Sequence, residues 1–323
     1  MKQLIPIFFS VNDAYAPYLA VALSSIRANA SAAYDYKVHI LGDDISHENR
    51  RRLSAMETGN FAIEFIPLSE KLRTLIPSGR LERHSFGAFS SLTIYFRLFI
   101  PALFPQYDKG IYLDSDIVVP GDISELWEEP IGMNLIGACA DYSIQHIAPF
   151  MKYIDRYVGV DHRSYVNSGV LLLNMKRLRE ADMAGRFLHW IREYSLETVA
   201  PDQDYLNALC WNSIHYLDPT WNSMPSGRFS GIVGPQIIHF NLDTKPWLNE
   251  SVPFDEIFWR YALESGYYDD IRAARQSFLQ DGSAVERYRR GIESLIRMAS
   301  VLSRKGTSFR SLISKRKEFR LCS

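Results

Sequence analysis

Two aspartates separated by one residue, Asp114 and Asp116, follow directly on the apolar run Ile111-Tyr112-Leu113 and directly precede a second one, Ile117-Val118-Val119. Where a strand ends and its alternation stops, two such carboxylates can turn toward one point. Paired oxygens of this kind suit a hard divalent cation, which would bridge them to a diphosphate. The competing reading is an exposed turn. Two like charges held at a sheet edge are costly unless a cation or donors offset them, and that favours the metal reading. Arg97 lies in the apolar segment Ser91-Leu92-Thr93-Ile94-Tyr95-Phe96-Arg97-Leu98. An unpaired charge there would be expensive, so a carboxylate or phosphate partner is expected. Other residues are ambiguous on their own. Asn12 and Asp13 could cap a helix as well as bind a ligand. Asn167 before Ser168-Gly169 could be a strand-end turn. Pro201-Asp202 is a good helix start, and a lone histidine after a strand, such as His239, is more often a satisfied core residue.

Regular alternation of strand and helix positions these groups. Leu4–Ser10, Tyr36–Gly42, Phe61–Pro67 and Lys109–Leu113 read as strands, and Tyr15–Asn29, Ser46–Met56 (with Ser46 as cap) and Leu92–Leu103 (interrupted at Pro101) as helices. Such succession implies a largely parallel sheet covered on both faces, with ligands beyond the carboxyl ends of its strands. Further on, Leu135–Ala140, Val166–Leu173 and Gln236–Phe240 are strand candidates, and helices are expected near Arg186–Tyr194 and Gln203–Trp211.

The chain has 323 residues, 47% of them hydrophobic and 23% charged, with a net charge of -1. This fits a globular domain with a sizeable core and gives no basic excess to suggest nucleic acid. Three cysteines, Cys139, Cys210 and Cys322, form neither a disulfide framework nor a zinc spacing, which fits a reducing compartment. The apolar run Leu4–Val11 carries a proline and meets Asn12 and Asp13 at once, so it does not read as a signal peptide. From Ala284 onward basic residues dominate. Val285, Tyr288, Ile292, Leu295, Ala299 and Leu302 share one helical face, a pattern that suits lying on an anionic membrane surface. A solvated terminus is the alternative.

Taken together, several separated motifs resemble glycosyltransferase family 8, the group that includes bacterial lipopolysaccharide galactosyl- and glucosyltransferases. They are the opening Phe8-Phe9-Ser10-Val11-Asn12-Asp13-Ala14-Tyr15, Tyr95-Phe96-Arg97-Leu98, the Asp114-Ser115-Asp116 triplet, Gly137-Ala138-Cys139-Ala140-Asp141, the run Val166 to Asn174, Pro201-Asp202-Gln203-Asp204, and His239 to Trp247. The match covers Ile5 to about Trp247. It implies a GT-A-like (Rossmann-like) α/β fold, with a mixed, mainly parallel sheet flanked by helices and followed by a basic helical tail. Residues 1–250 would form the transferase domain, divided into a nucleotide-binding half (1–116) and a donor-sugar and acceptor half (117–250). Residues 251–283 would be a helical extension and 284–323 the tail. The resemblance further implies Mn2+ or Mg2+ on Asp114, Asp116 and His239. Asn12, Asp13, Tyr15, Arg97, Asp114, Ser115, Asn167 and Lys245 would bind a UDP-hexose, and Asp141, Asp202 and Gln203 would surround the reacting sugar. In one respect the chain departs from the pattern: Leu242 stands where the family usually has glycine.

On this reading the chain is a retaining hexosyltransferase acting on a glycan or lipid-linked glycan, cytoplasmic and peripheral on the inner face of the membrane. No carboxylate stands out as a nucleophile, which favours front-side attack by the acceptor hydroxyl, its proton passing to the departing phosphate. A sugar nucleotidyltransferase would need a glycine-rich, basic loop after the first strand, which Phe8–Tyr15 lacks. A catalytically impaired sugar-nucleotide-binding protein stays open through Leu242.

Overall fold

The computed structural model describes residues 2–67, 92–194, 196–226 and 232–314. β1 (Gln3–Ser10) runs through a 3-10 turn (Asp13–Tyr15) into α1 (Ala16–Asn29), followed by β2 (Tyr34–Leu41), α2 (His47–Ser54) and β3 (Phe61–Ile66). A 3-10 segment (Leu92–Leu98) precedes α3 (Ile100–Leu103), β4 (Gly110–Leu113), β5 (Ile117–Val118), α4 (Ile123–Glu128), β6 (Ile136–Ala138) and α5 (Ala148–Tyr153). Next come β7 (Val170–Leu173), α6 (Met175–Glu180), α7 (Met183–Tyr194), α8 (Pro201–Cys210), β8 (Ile214–Tyr216), a 3-10 turn (Pro219–Asn222) and β9 (Ile238–His239). Three further helices follow, α9 (Asp255–Glu264), α10 (Tyr268–Gln280) and α11 (Gly282–Leu302), and residues 309–314 are helical again at the end of the described chain.

Seven strands form one sheet in the order β3-β2-β1-β4-β7-β6-β8, while β5 and β9 pair separately. Every pairing in the large sheet is parallel except those of β7, which runs antiparallel to β4 and β6. The expected mixed, mainly parallel sheet is therefore present. The chain crosses from β3 at one edge to β4 on the far side of β1, which makes the β1–β4 junction the point where strand order reverses. In such sheets a crevice opens there at the carboxyl ends.

Alternation along the central strands explains the layering. Ile5, Ile7, Phe9, Ile111, Leu113, Val170 and Leu172 enter one apolar core, shared with α1 and α9. Phe8, Tyr112, Leu171 and Leu173 enter the other, shared with α5, α7, α8 and α11. Successive side chains point to opposite faces, so strands buried on both sides must be apolar throughout.

Several expected elements are shorter or shifted. Tyr15 belongs to the 3-10 turn rather than to α1. The single helix expected over Leu92–Leu103 is two pieces, because Pro101 takes the first turn of α3 and cannot sit inside a longer helix. Only Val170–Leu173 of the expected strand Val166–Leu173 is strand. Asn167 accepts the Gly169 N–H at 2.9 Å and turns the chain before it, leaving Val166 in an isolated bridge to Ala140. Ser46 caps α2 as expected, accepting from the Asn49 N–H.

Correction is needed for the C-terminal stripe. Leu295, Ala299 and Leu302 are buried in the protein's own core with Phe309, Leu312 and Ile313, and α11 packs on α5. Apolar surface packed against the body is not free to enter a lipid layer. Val285, at the helix start, is the exposed member of the stripe. Cys139 and Cys210 are buried free thiols, whereas Cys322 and the basic residues from Lys315 to Arg320 lie outside the described residues. Among the described residues no helix is long and apolar enough to cross a membrane.

Candidate functional site

β4 ends at Leu113, and the Asp114 N–H is held by the Gly169 carbonyl at 2.7 Å. β5 then pairs Ile117 with His239 of β9, which brings the histidine against the acidic pair. His239 Nε2 lies 3.3 Å from Asp116 Oδ1 and 3.9 Å from Asp114 Oδ2. One donor atom from each of Asp114, Asp116 and His239 falls within 4.8 Å of the others. The other imidazole nitrogen, Nδ1, meets Asn222 Oδ1 at 3.0 Å, and Asn222 Nδ2 donates to Asn167 Oδ1 at 3.0 Å. Because the amide NH2 is committed to Asn167, its oxygen must accept from the imidazole. That places an N–H on Nδ1 and leaves Nε2 as the nitrogen turned toward the carboxylates.

The backbone makes room for this cluster at Gly169. A Cβ there would sit 2.3 Å from His239 Cε1 and 2.7 Å from Asp114 Oδ2. Glycine is required by close approach, so the Asn-Ser-Gly turn serves more than chain reversal.

Arg97 has the expected partners, and they are carboxylates. Its Nη2 donates to Asp114 Oδ1 at 2.9 Å and its Nε faces Asp202 Oδ2 at 3.0 Å. Nη1 donates to the Ser168 carbonyl at 2.7 Å, and the guanidinium lies over the Tyr112 ring at 4.4 Å. Burial would lower the pKa of Arg97, but Asp114 and Asp202 more than offset this and raise it. Burial likewise lifts the Asp202 carboxyl, with Arg97 and Ser168 opposing. At Asp116 burial is outweighed by Lys245 and His239, which hold its carboxyl far below the usual range. The Lys245 ammonium contacts Asp116 directly and also donates to the Phe240 carbonyl at 3.2 Å. Ser115 is buried between the two acids.

A second group adjoins the first. Asp141 Oδ2 accepts from Asn167 Nδ2 at 3.1 Å and Gln203 Nε2 at 2.9 Å, and Ser143 occupies its other oxygen. Gln203 Oε1 in turn accepts the Ser168 N–H at 3.0 Å, while the Ser168 hydroxyl donates to Asp202 at 2.7 Å. Asp202 and Gln203 open α8, which is the helix start expected at Pro201. Ser168 thus joins the two groups into one network through Arg97, Asp202 and Gln203.

At the carboxyl end of β1, Asn12 accepts the Tyr15 N–H at 3.2 Å, so its cap reading holds. Asp13 Oδ1 accepts from the Ser46 N–H at 2.8 Å and Asn49 Nδ2 at 2.7 Å, which lowers its pKa. Tyr15 packs edge-on against Tyr18, whose ring stacks on Trp247 at 4.0 Å. Leu242 adopts φ +47°, the left-handed region that favours glycine. Ser168, Gly169 and Asn222 were the residues that spacing could not single out. Gly169 alone carried a signal, as a glycine leading a solid apolar strand.

Acidic and imidazole donors thus collect where strand order reverses, beside a buried lysine, in a sheet of the kind found in GT-A glycosyltransferases. The family model for glycosyl transferase family 8 matches residues 6–251, and this chain belongs to that family. A Haemophilus influenzae relative bearing a glycosyltransferase name is 27% identical over 228 residues, which are 70% of this chain and 66% of that one. General stress protein A of Bacillus subtilis is 25% identical over 80% of this chain and 93% of its own. The solved structure of galactosyltransferase LgtC with donor and acceptor sugar analogues superposes with a TM-score of 0.64 at 26% identity, covering 80% of this chain and 96% of that one. The chain thus spans just under two thirds of the Haemophilus relative's length.

Proposed function

We propose that this glycosyltransferase moves a hexose, galactose or glucose, from UDP to a glycan acceptor with retention, using Mn2+ or Mg2+. The observation that carries the reading is the convergence of Asp114, Asp116 and His239 within 4.8 Å. The donor set fits such an ion. Two carboxylates and an imidazole nitrogen suit Mn2+ or Mg2+, Gly169 keeps the space clear, and Asn222 orients the imidazole so that Nε2 faces the carboxylates. When bound, the ion supplies positive charge to the diphosphate as it leaves.

The chain's own residues would do the rest. Lys245 would exchange part of its contact with Asp116 for the diphosphate, adding a point charge where negative charge develops. Arg97 holds Asp114 and Asp202 in place and balances their charge. Asn12, Asp13 and Tyr15 would meet the base and ribose, while Asn167, Asp141, Asp202 and Gln203 would meet the sugar. Asp202 is tied to Arg97 and Ser168, and Asp141 to Asn167, Gln203 and Ser143. Neither carboxylate is a free nucleophile, which supports front-side attack by the acceptor hydroxyl. Leu242 keeps the left-handed backbone of a glycine, which supports a working phosphate loop over an impaired one. A lipid-linked or surface polysaccharide acceptor fits peripheral contact with an anionic membrane through the exposed arginines of α11.

Calorimetric titration of UDP-glucose and UDP-galactose tests this, with Mn2+ and with chelator, into the wild type and Asp116→Ala. Metal-dependent binding of one donor, absent from the variant, is expected. Binding of neither donor in the presence of Mn2+ would overturn the proposal.

A further inference from the structure

The loop after β9 carries Lys245 and continues directly from His239, yet its backbone is held from outside the segment that matches the family. Tyr288 of α11 donates its hydroxyl to the Leu242 carbonyl at 2.5 Å. Arg275 of α10 donates Nε to the Pro246 carbonyl at 3.1 Å and Nη2 to the Asn249 carbonyl at 3.3 Å. The family match ends at residue 251, so both side chains come from the C-terminal helices beyond it. The contacts bracket Lys245 on either side.

This loop needs such support. A leucine at φ +47° occupies a region where a branched side chain clashes with its own backbone, and it persists only where surroundings over-determine it. A glycine would hold the same backbone without strain. The Tyr288 hydroxyl binds the carbonyl of the strained residue itself, and the tyrosine is half-buried rather than a loose surface group. Tyr267, just before α10, reaches the carboxyl end of β1, where its hydroxyl donates to Asn49 Oδ1 at 3.0 Å and Asn49 Nδ2 holds Asp13.

We infer that Tyr288 and Arg275 are positioning residues that fix the Leu242–Asn249 loop, and through it Lys245, for the diphosphate of the donor. The inference rests on the donor reading proposed above. It makes the C-terminal helices a brace for the active loop, compensating for Leu242.

The test compares UDP and UMP, each with Mn2+, titrated into the full chain by calorimetry. Tyr288→Phe removes only the hydroxyl. It is expected to weaken UDP roughly threefold to tenfold, the share of one hydrogen bond, and to change UMP by less than about twofold. In a Leu242→Gly background the same substitution is expected to change UDP by less than about twofold, because the glycine no longer needs the support. Arg275→Gln, on a separate helix, is expected to lower the UDP-to-UMP preference as well, and it carries the test should Tyr288→Phe fold poorly. A purely structural role would lower the melting temperature and leave that preference intact. An unchanged preference in a wild type that binds UDP overturns this inference alone, whereas a wild type that binds neither nucleotide overturns the donor reading with it.

Discussion

Single atoms decide whether the cluster of Asp114, Asp116 and His239 can serve a cation, and Gly169 is the clearest case. One methyl group there would meet His239 and Asp114 inside contact distance. Gly169→Ala is therefore expected to weaken Mn2+-dependent UDP binding by more than about tenfold, since misplaced ligands cannot be recovered by flexible side chains. Circular dichroism should remain native. Wild-type binding by this variant would mean that the three residues do not form the site. Asp204 poses a different residue-scale question. It is wholly buried, with the Tyr153 and Tyr165 hydroxyls each at 2.7 Å and, among the described residues, no cation beside it. Burial lifts its carboxyl from 3.8 to about 7, although those hydroxyls and the Ala200 N–H pull the other way. The folded state then holds this proton more tightly than the unfolded chain. Its contribution is complete below about pH 4 and is lost as pH rises through 7. Asp204→Asn removes the titration, so its stability relative to wild type is expected to improve by about 1–3 kcal/mol between pH 5 and 8. Urea unfolding at the two pH values checks this, and parallel curves would count against it.

At the scale of elements, the site depends on pieces that are distant in sequence meeting at one sheet edge. The 3-10 segment Leu92–Leu98 packs on α8, and Arg97 joins them by pairing with Asp202 of that helix and with Asp114 beyond β4. Arg97→Met would leave two poorly hydrated carboxylates without a counter-charge. It is expected to lower stability by about 3–5 kcal/mol, with loss of UDP binding. A drop below 1 kcal/mol in urea unfolding would show that water reaches Asp202. How much of this was legible in sequence follows from the same elements. β1 and β4 announced themselves because burial on both faces forces unbroken apolar runs such as Ile5 to Phe9, whereas β3, a partly buried edge strand, showed through its alternation. Asp114 and Asp116 were legible because they stand at the abrupt end of such a run, and the start of α8 because Pro201-Asp202 is a helix-opening pair. β5 and β8 are two or three residues long, too short for any period to show. Asn222 stayed hidden because its role depends on the pairing of β5 with β9, a contact between residues more than a hundred positions apart that no local pattern records.

For the molecule as a whole, the question is what the basic C-terminal region does once its apolar face is accounted for. Leu295, Ala299 and Leu302 lie in the core, so α11 cannot insert that face into lipid without leaving α5. What it offers outward is mostly charge, with Val285 and Val301 the exposed apolar side chains. Arg287, Arg290 and Arg297 are 66–70% exposed, each beside an acid, Asp281, Glu286 or Glu293. Ion pairs this exposed contribute little to the fold, so reversing the arginines leaves the protein standing. Near an anionic surface each arginine is worth about 1 kcal/mol, an attraction that salt screens within a Debye length of about 10 Å or less. Arg287→Glu/Arg290→Glu/Arg297→Glu is therefore expected to keep its melting temperature and its affinity for UDP with Mn2+. Its sedimentation with phosphatidylglycerol vesicles should fall more than about tenfold. Wild-type sedimentation should be abolished in about 0.5 M salt. Sedimentation that survives such salt would require buried apolar surface. In that case α11 would leave the body on membranes, Tyr288 would release Leu242, and the phosphate loop would lose one of its supports when the enzyme reached its acceptor.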